Sequence, residues 1–178
     1  MPRQPRDTRP GIFHVYTHAV WHRALYRDDV DRLEFLRHLA RVSDGWECLA
    51  FCLMESHYHL IVEVGDGVLP TVMRSLNLAY ALAYNARHSL RGHVQFDRYG
   101  SRRVLTDDAL VTAYGYVANN PVRAGLCRAA SDWPWSNFAG TVGLRPKDSF
   151  VADKRILECF ASPTVDAKAS LRWHVEKA

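Results

Sequence analysis

The stretch WECLAFCLMESHYHLIVEV (residues 46–64) decides the fold. Its first half, Trp46 to Met54, is an apolar run with two cysteines and reads as a buried strand. Glu55-Ser56 breaks the run as a turn. From His57 onward the residues alternate: His57, His59, Ile61 and Glu63 point one way, and Tyr58, Leu60, Val62 and Val64 the other. Two strands joined by so short a turn form a hairpin.

The flanks extend the pattern. Upstream, Ile12 to Val20 is rich in β-branched and aromatic residues and reads as a strand. Asp28 to Val42 places Leu33, Leu36, Leu39 and Ala40 at helical spacing behind acidic starting residues, and Gly45 stops it. Downstream, Gly65-Asp66-Gly67 and Pro70 introduce a long helix over about Pro70 to His88. A short strand around Tyr99 to Leu105 would complete a sheet if the basic segment supplies it. Thr106-Asp107-Asp108 offers an N-cap and an acidic first turn to a helix carrying Leu110, Ala113, Tyr116 and Val117. That helix should end before Pro121. The order predicts an α+β, ferredoxin-like split β-α-β fold, with an antiparallel sheet and helices on one face. Beyond Gly125 the text is irregular, with Trp133-Pro134-Trp135 in a loop and short helices near Lys154 to Phe160 and at the C-terminus.

The chain has 178 residues, of which 48% are hydrophobic and 24% charged. This is the balance of one soluble domain, and it excludes global disorder and a coiled-coil rod. Residues 1–10, with three prolines and three arginines, read as a flexible basic arm, residues 11–140 as the main domain, and 141–178 as a partly helical extension. No apolar stretch approaches the roughly 20 residues that span a bilayer, and the N-terminus has no signal-peptide pattern. A cytoplasmic address without a membrane partner is the expectation. Cys48, Cys52, Cys127 and Cys159 match neither a zinc site nor a disulfide framework and read as reduced, mostly buried residues.

The formal net charge is +4, and its location matters more than its size. Between Asn85 and Arg103 lie Arg87, Arg91, Arg98, Arg102 and Arg103 against Asp97 alone. With Phe96 and Tyr99 interleaved, the segment offers cations for phosphates and rings for base stacking. Arg3, Arg6 and Arg9 could add an arm. The plainer reading is a solvated arginine-rich loop.

Two constellations carry chemistry. His57 and His59 share a strand face, which suits a divalent metal or a structural polar pair. On a helix, Tyr116 and Asn120 are i and i+4 and share a face. They read either as a nucleophile beside a metal ligand, or as a core tyrosine with an asparagine C-cap before proline.

A strand ending in Leu53-Met54, His57-Tyr58-His59-Leu60, a helix, a basic linker, then Tyr116 with Asn120-Pro121-Val122-Arg123-Ala124-Gly125-Leu126 resembles the single-tyrosine HUH transposases. It resembles most closely their REP-associated tyrosine transposase branch. Phe13-His14-Val15, Arg27-Asp28-Asp29 and Ser131-Asp132-Trp133-Pro134-Trp135-Ser136 extend the likeness over about residues 11–140. The resemblance implies that His57 and His59 hold Mg²⁺ or Mn²⁺ with Asn120 as third ligand. It implies that Tyr116 attacks a phosphodiester of single-stranded DNA, giving a 5′-phosphotyrosine link and a free 3′-hydroxyl. Reversal with another 3′-hydroxyl rejoins strands, and hairpin DNA with a flanking single strand is the expected partner. The sequence departs from the pattern at Glu55-Ser56, where relatives carry a proline-containing turn, and at Ala118-Asn119; neither removes a catalytic group. A hairpin DNA- or RNA-binding protein on the same fold without strand transfer is the alternative, and a homodimer is compatible with either.

Overall fold

The computed structural model describes residues 7–19, 24–42, 45–90 and 98–177. Four strands, β1 (Gly11–His18), β2 (Trp46–Leu53), β3 (His57–Val64) and β4 (Gly100–Val104), form one sheet in the order β2-β3-β1-β4. Every neighbouring pair is antiparallel. Helices α1 (Asp29–Arg41) and α2 (Val68–Arg87) make the two crossovers of the split β-α-β arrangement. The basic segment does supply the fourth strand, through Arg102 and Arg103 in β4.

One face of the sheet packs on α1 and α2 through Phe13, Val15, Phe51, Tyr58, Leu60 and Val62. In α2 the buried residues Leu69, Val72, Met73, Leu76, Tyr80 and Tyr84 recur at helical spacing. Helix α1 starts at Asp28, whose carboxylate accepts from the Asp31 amide at 3.1 Å, as an N-cap should. Its core face is rotated from the expected one. Asp31, Phe35 and Leu39 are buried while Leu33 is 58% exposed. The buried Asp31 explains the rotation: it accepts from the Arg27 amide at 2.8 Å and pairs with Arg87 and His88 at the end of α2.

The opposite face is covered as well, where the sequence reading put helices on one face only. Helix α3 (Asp107–Ala118) lies there with Leu110, Tyr114 and Val117 against Ala50, Cys52 and Ile61. After the single turn of α4 (Asn120–Arg123) the chain crosses Ala130–Asp132 and α5 (Phe138–Thr141), then reaches α6 (Lys154–Glu158) and α7 (Ala167–Lys177). Phe138, Ile156, Leu171 and Val175 join the α3 core. Residues past 140, read as an extension, therefore belong to the same packed body. Residues 135–136 and 151–152 cover the free edge of β2. Leu53 N donates to Trp135 O at 2.8 Å, Ala152 N to Cys48 O at 2.8 Å, and Cys52 bridges Ser136. An unpaired edge would otherwise be a template for aggregation.

A bulge between Cys48 and Ala50 interrupts the β2–β3 register, and Asn137 satisfies it. The Asn137 side chain accepts from Phe51 N at 2.8 Å and donates to Thr141 Oγ1 at 3.0 Å, with Leu49 O and Tyr114 Oη at 3.5 Å. All four cysteines are free, with Cys48 and Cys52 buried; burial pushes the Cys48 thiol up to about 12. Trp133 and Trp135 pack on the two cores. Among the described residues no helix is long and apolar enough to cross a membrane.

Candidate active site

Strand alternation fixes the site. In β1, Phe13, Val15 and Thr17 are buried, Phe13 and Val15 beneath α1 and α2, so His14, Tyr16 and His18 project toward α3. In β3, Tyr58 faces α2, where its hydroxyl donates to Asn77 Oδ1 at 2.7 Å. That anchor turns His57 and His59 to the α3 side. The register sets His18 opposite His57 and Tyr16 opposite His59. The result is a patch of four imidazoles and a phenol. The His57 and His59 rings are 5.1 Å apart and nearly perpendicular, and His18 stacks on His57 at 4.9 Å. Nε2 of His14 lies 3.0 Å from Nδ1 of His59.

Helix α3 brings the second constellation over this patch within the same chain. Leu110, Tyr114 and Val117 point into the core, which leaves Tyr116 facing the cleft, 41% exposed. Its ring centre is 5.6 Å from that of His59 and 5.7 Å from that of His14. No hydrogen bond holds its hydroxyl among the described residues. Ring contacts position it instead, with the Arg123 guanidinium 5.3 Å above its face. Asn120 sits one turn on. Its amide nitrogen donates to Tyr116 O at 3.2 Å, and its side chain also reaches the His57 imidazole. The nitrogen donates to the carbonyl, and the carboxamide oxygen is the acceptor that faces the imidazole. A cleft of about 700 Å³ runs from the imidazoles between β4 and α3, past Arg102, Val104 and Thr112.

Three of the imidazoles, His14, His57 and His59, are biased toward the neutral form. Burial, then the charge of Arg102, pushes His14 down to about 4. Burial and the neighbouring imidazoles push His59 down to about 3. Burial and His18 lower His57, with Asn120 opposing. Neutral imidazole is the form that binds metal. Among the described residues no three His, Cys, Asp or Glu side chains converge as a metal site. The donors that stand on this side of the cleft are the two imidazoles of β3 and the carboxamide beside His57, nitrogen and oxygen ligands of the kinds that divalent cations take.

The same shifts predict a pH effect. An unfolded histidine titrates near 6.5, while His14 and His59 stay neutral in the native state down to about 4 and about 3. From about pH 6.5 downward the unfolded chain binds more protons, so stability falls as the pH drops through that window. Melting temperature should decline between pH 6.5 and 4, and less steeply in His14→Gln; equal slopes would contradict the assignment.

The arginine and aromatic candidates do not stay together. Arg102 faces the cleft, and Arg98 is exposed. Arg103, the next residue along β4, turns to the other face, where it lies over Phe13 and bonds Asp7 and Pro10. Arg87 is held in ion pairs with Asp28 and Asp31, and Tyr99 is buried in the α1/α2 core. Arg87 and Tyr99 are therefore structural, contrary to the sequence expectation of phosphate and base contacts. Arg9 is paired with Asp7 at 2.7 Å. Arg91, Phe96, Arg3 and Arg6 lie outside the described residues. Sequence reading missed His14, Tyr16 and His18 as site residues. The signal was present, since alternation in HVYTH (residues 14–18) puts all three on one face.

Tyr16 depends on a glycine across the sheet. A Cβ at Gly100 would sit 2.3 Å from Tyr16 Cζ and 2.6 Å from its hydroxyl. Gly100→Ala should displace the Tyr16 ring into the imidazole patch and cost about 1–3 kcal/mol of stability, as overpacking does. Urea unfolding checks this; an unchanged midpoint would mean that the ring moves aside freely.

No protein-family model matches the chain, and no curated protein matches it. Among solved structures, the chain is similar to a REP-associated tyrosine transposase bound to a REP hairpin. The TM-score is 0.64 with 20% sequence identity, covering 82% of this chain and 89% of that one. The likeness is in backbone, and the chain shares the α+β fold of that structure, a four-stranded antiparallel sheet with helices.

Proposed function

We propose that this chain is a metal-dependent enzyme that nicks single-stranded DNA and transfers strands, acting on DNA that carries a hairpin. The observation that carries the reading is the meeting of Tyr116 with His59 across the cleft, 5.6 Å between ring centres. A core tyrosine with an asparagine cap had no reason to face two neutral imidazoles. The hairpin bound by the structural neighbour supports the choice of substrate.

In this reading the Tyr116 oxygen attacks the phosphorus, and the 3′-oxygen leaves. A 5′-phosphotyrosine diester forms, and its bond energy is kept for rejoining to another 3′-hydroxyl. His57, His59 and Asn120 would hold Mg²⁺ or Mn²⁺, which when bound polarises the phosphoryl oxygen as a Lewis acid. Arg102 and Arg123 stand at the cleft as cations for the phosphate backbone. The partly exposed phenol is already in place, so positioning contributes to the rate.

The test is incubation with Mn²⁺ and a panel of labelled hairpin oligonucleotides bearing single-stranded flanks. A protein–DNA adduct that survives denaturation, and disappears with EDTA, is expected. Hairpin binding without an adduct across the panel would leave a binding protein on this fold.

A further inference from the structure

His59 has two ring nitrogens, and one is engaged. Its Nδ1 lies 3.0 Å from Nε2 of His14, and among the described residues no other side chain hydrogen-bonds its ring. Two neutral imidazoles joined nitrogen to nitrogen share one proton, so one donates and the other accepts. If His14 donates, the proton of His59 sits on Nε2 and no lone pair remains for a cation. If His59 donates from Nδ1, its Nε2 lone pair is open. His57 repeats the arrangement, with Nδ1 3.3 Å from Ser56 Oγ. Both β3 imidazoles thus have Nδ1 against a neighbour of their own chain; the His57 ring also meets Asn120, and Nε2 of His59 is the nitrogen that remains for a ligand.

The geometry points to His14 as a positioning residue: it accepts the Nδ1–H of His59 and fixes the tautomer that leaves His59 Nε2 free for a divalent cation. Histidine ligands generally donate their second N–H to such a partner, which sets tautomer and ring orientation. Here the partner is an imidazole. It is half-buried, and β1 holds it in register between Ile61 and Arg102 of the flanking strands. The cation is the one named under the nuclease reading, and the choice of tautomer rests on that reading, since the 3.0 Å contact by itself fits donation in either direction.

Two-bond ¹H–¹⁵N correlation spectra of the metal-free full chain report which nitrogen of each histidine carries the proton. His59 should be protonated on Nδ1. His14→Phe keeps a ring in the patch but removes the acceptor. It should shift the His59 proton to Nε2 and weaken Mn²⁺ binding, measured by calorimetry, about 10- to 100-fold. His14→Gln presents a carboxamide oxygen and should restore the Nδ1–H form and most of the affinity. An Nε2-protonated His59 in the parent chain, or Mn²⁺ affinity in His14→Phe equal to the parent, would overturn the proposal. The parent spectrum decides even if a variant fails to fold. An Nδ1–H His59 in a chain that forms no adduct with any hairpin would uphold the role of His14 and remove the nuclease reading alone.

Discussion

Tyr116→Phe should abolish adduct formation, on the order of 10³-fold or more in rate, while fold and hairpin binding persist. The two halves of this expectation rest on different observations. Loss of the adduct follows because the hydroxyl is the attacking group and nothing replaces it. Persistence of the fold follows because the ring, not the hydroxyl, makes the contacts. His14, His59 and Arg123 all touch the ring, and among the described residues no hydrogen bond to the oxygen is lost. At 41% exposure the change should stay within about 0.5 kcal/mol. Adduct yield and thermal melting of both proteins check it. A large fall in melting temperature would make the hydroxyl part of the fold. An undiminished adduct would point to another nucleophile, with Tyr16 lining the same cleft.

Asn137→Ala carries the largest expected effect on stability, about 3 kcal/mol. The residue is 3% exposed, and its loss would leave Phe51 N–H without its partner at 2.8 Å and take from the Thr141 hydroxyl its donor at 3.0 Å, with Tyr114 its remaining partner. Each buried group left unpaired costs about 1–3 kcal/mol. The damage falls where the bulge in β2, the α5 turn and the buried Tyr114 of α3 meet, so it reaches the helix that presents Tyr116. Urea denaturation measures it; a loss below about 1 kcal/mol would mean that water or a shifted backbone takes over both bonds.

The hairpin of β2 and β3, the period of α2 and the N-cap of α3 were legible because each rests on local alternation, spacing or capping. His57, His59, Tyr116 and Asn120 were legible as pairs, and the fold brings the two pairs to one cleft. What sequence did not disclose was long-range partnership. Arg87 counted as a free cation because its partner Asp31 is 56 residues away. That same buried carboxylate rotates α1, so Phe35 and not Leu33 enters the core. Arg102 and Arg103 looked equivalent until β4 was seen to place them on opposite faces. His14 was passed over because an imidazole on a strand gains meaning only when register sets another beside it. Residues 141–178 read as an extension because short, irregular elements carry little periodicity, although they help to close the β2 edge through Ala152 and brace α3. There Asn119 donates to Val175 O at 2.7 Å.

Diffraction at the manganese absorption edge, from crystals of the Mn²⁺-loaded chain, tests the convergence on which the account depends. One anomalous peak is predicted, bounded by His57, His59 and Asn120 and facing the Tyr116 phenol. A cation bound elsewhere, such as at the facing carboxylates of Glu47 and Glu63, with the imidazole patch empty, would contradict it.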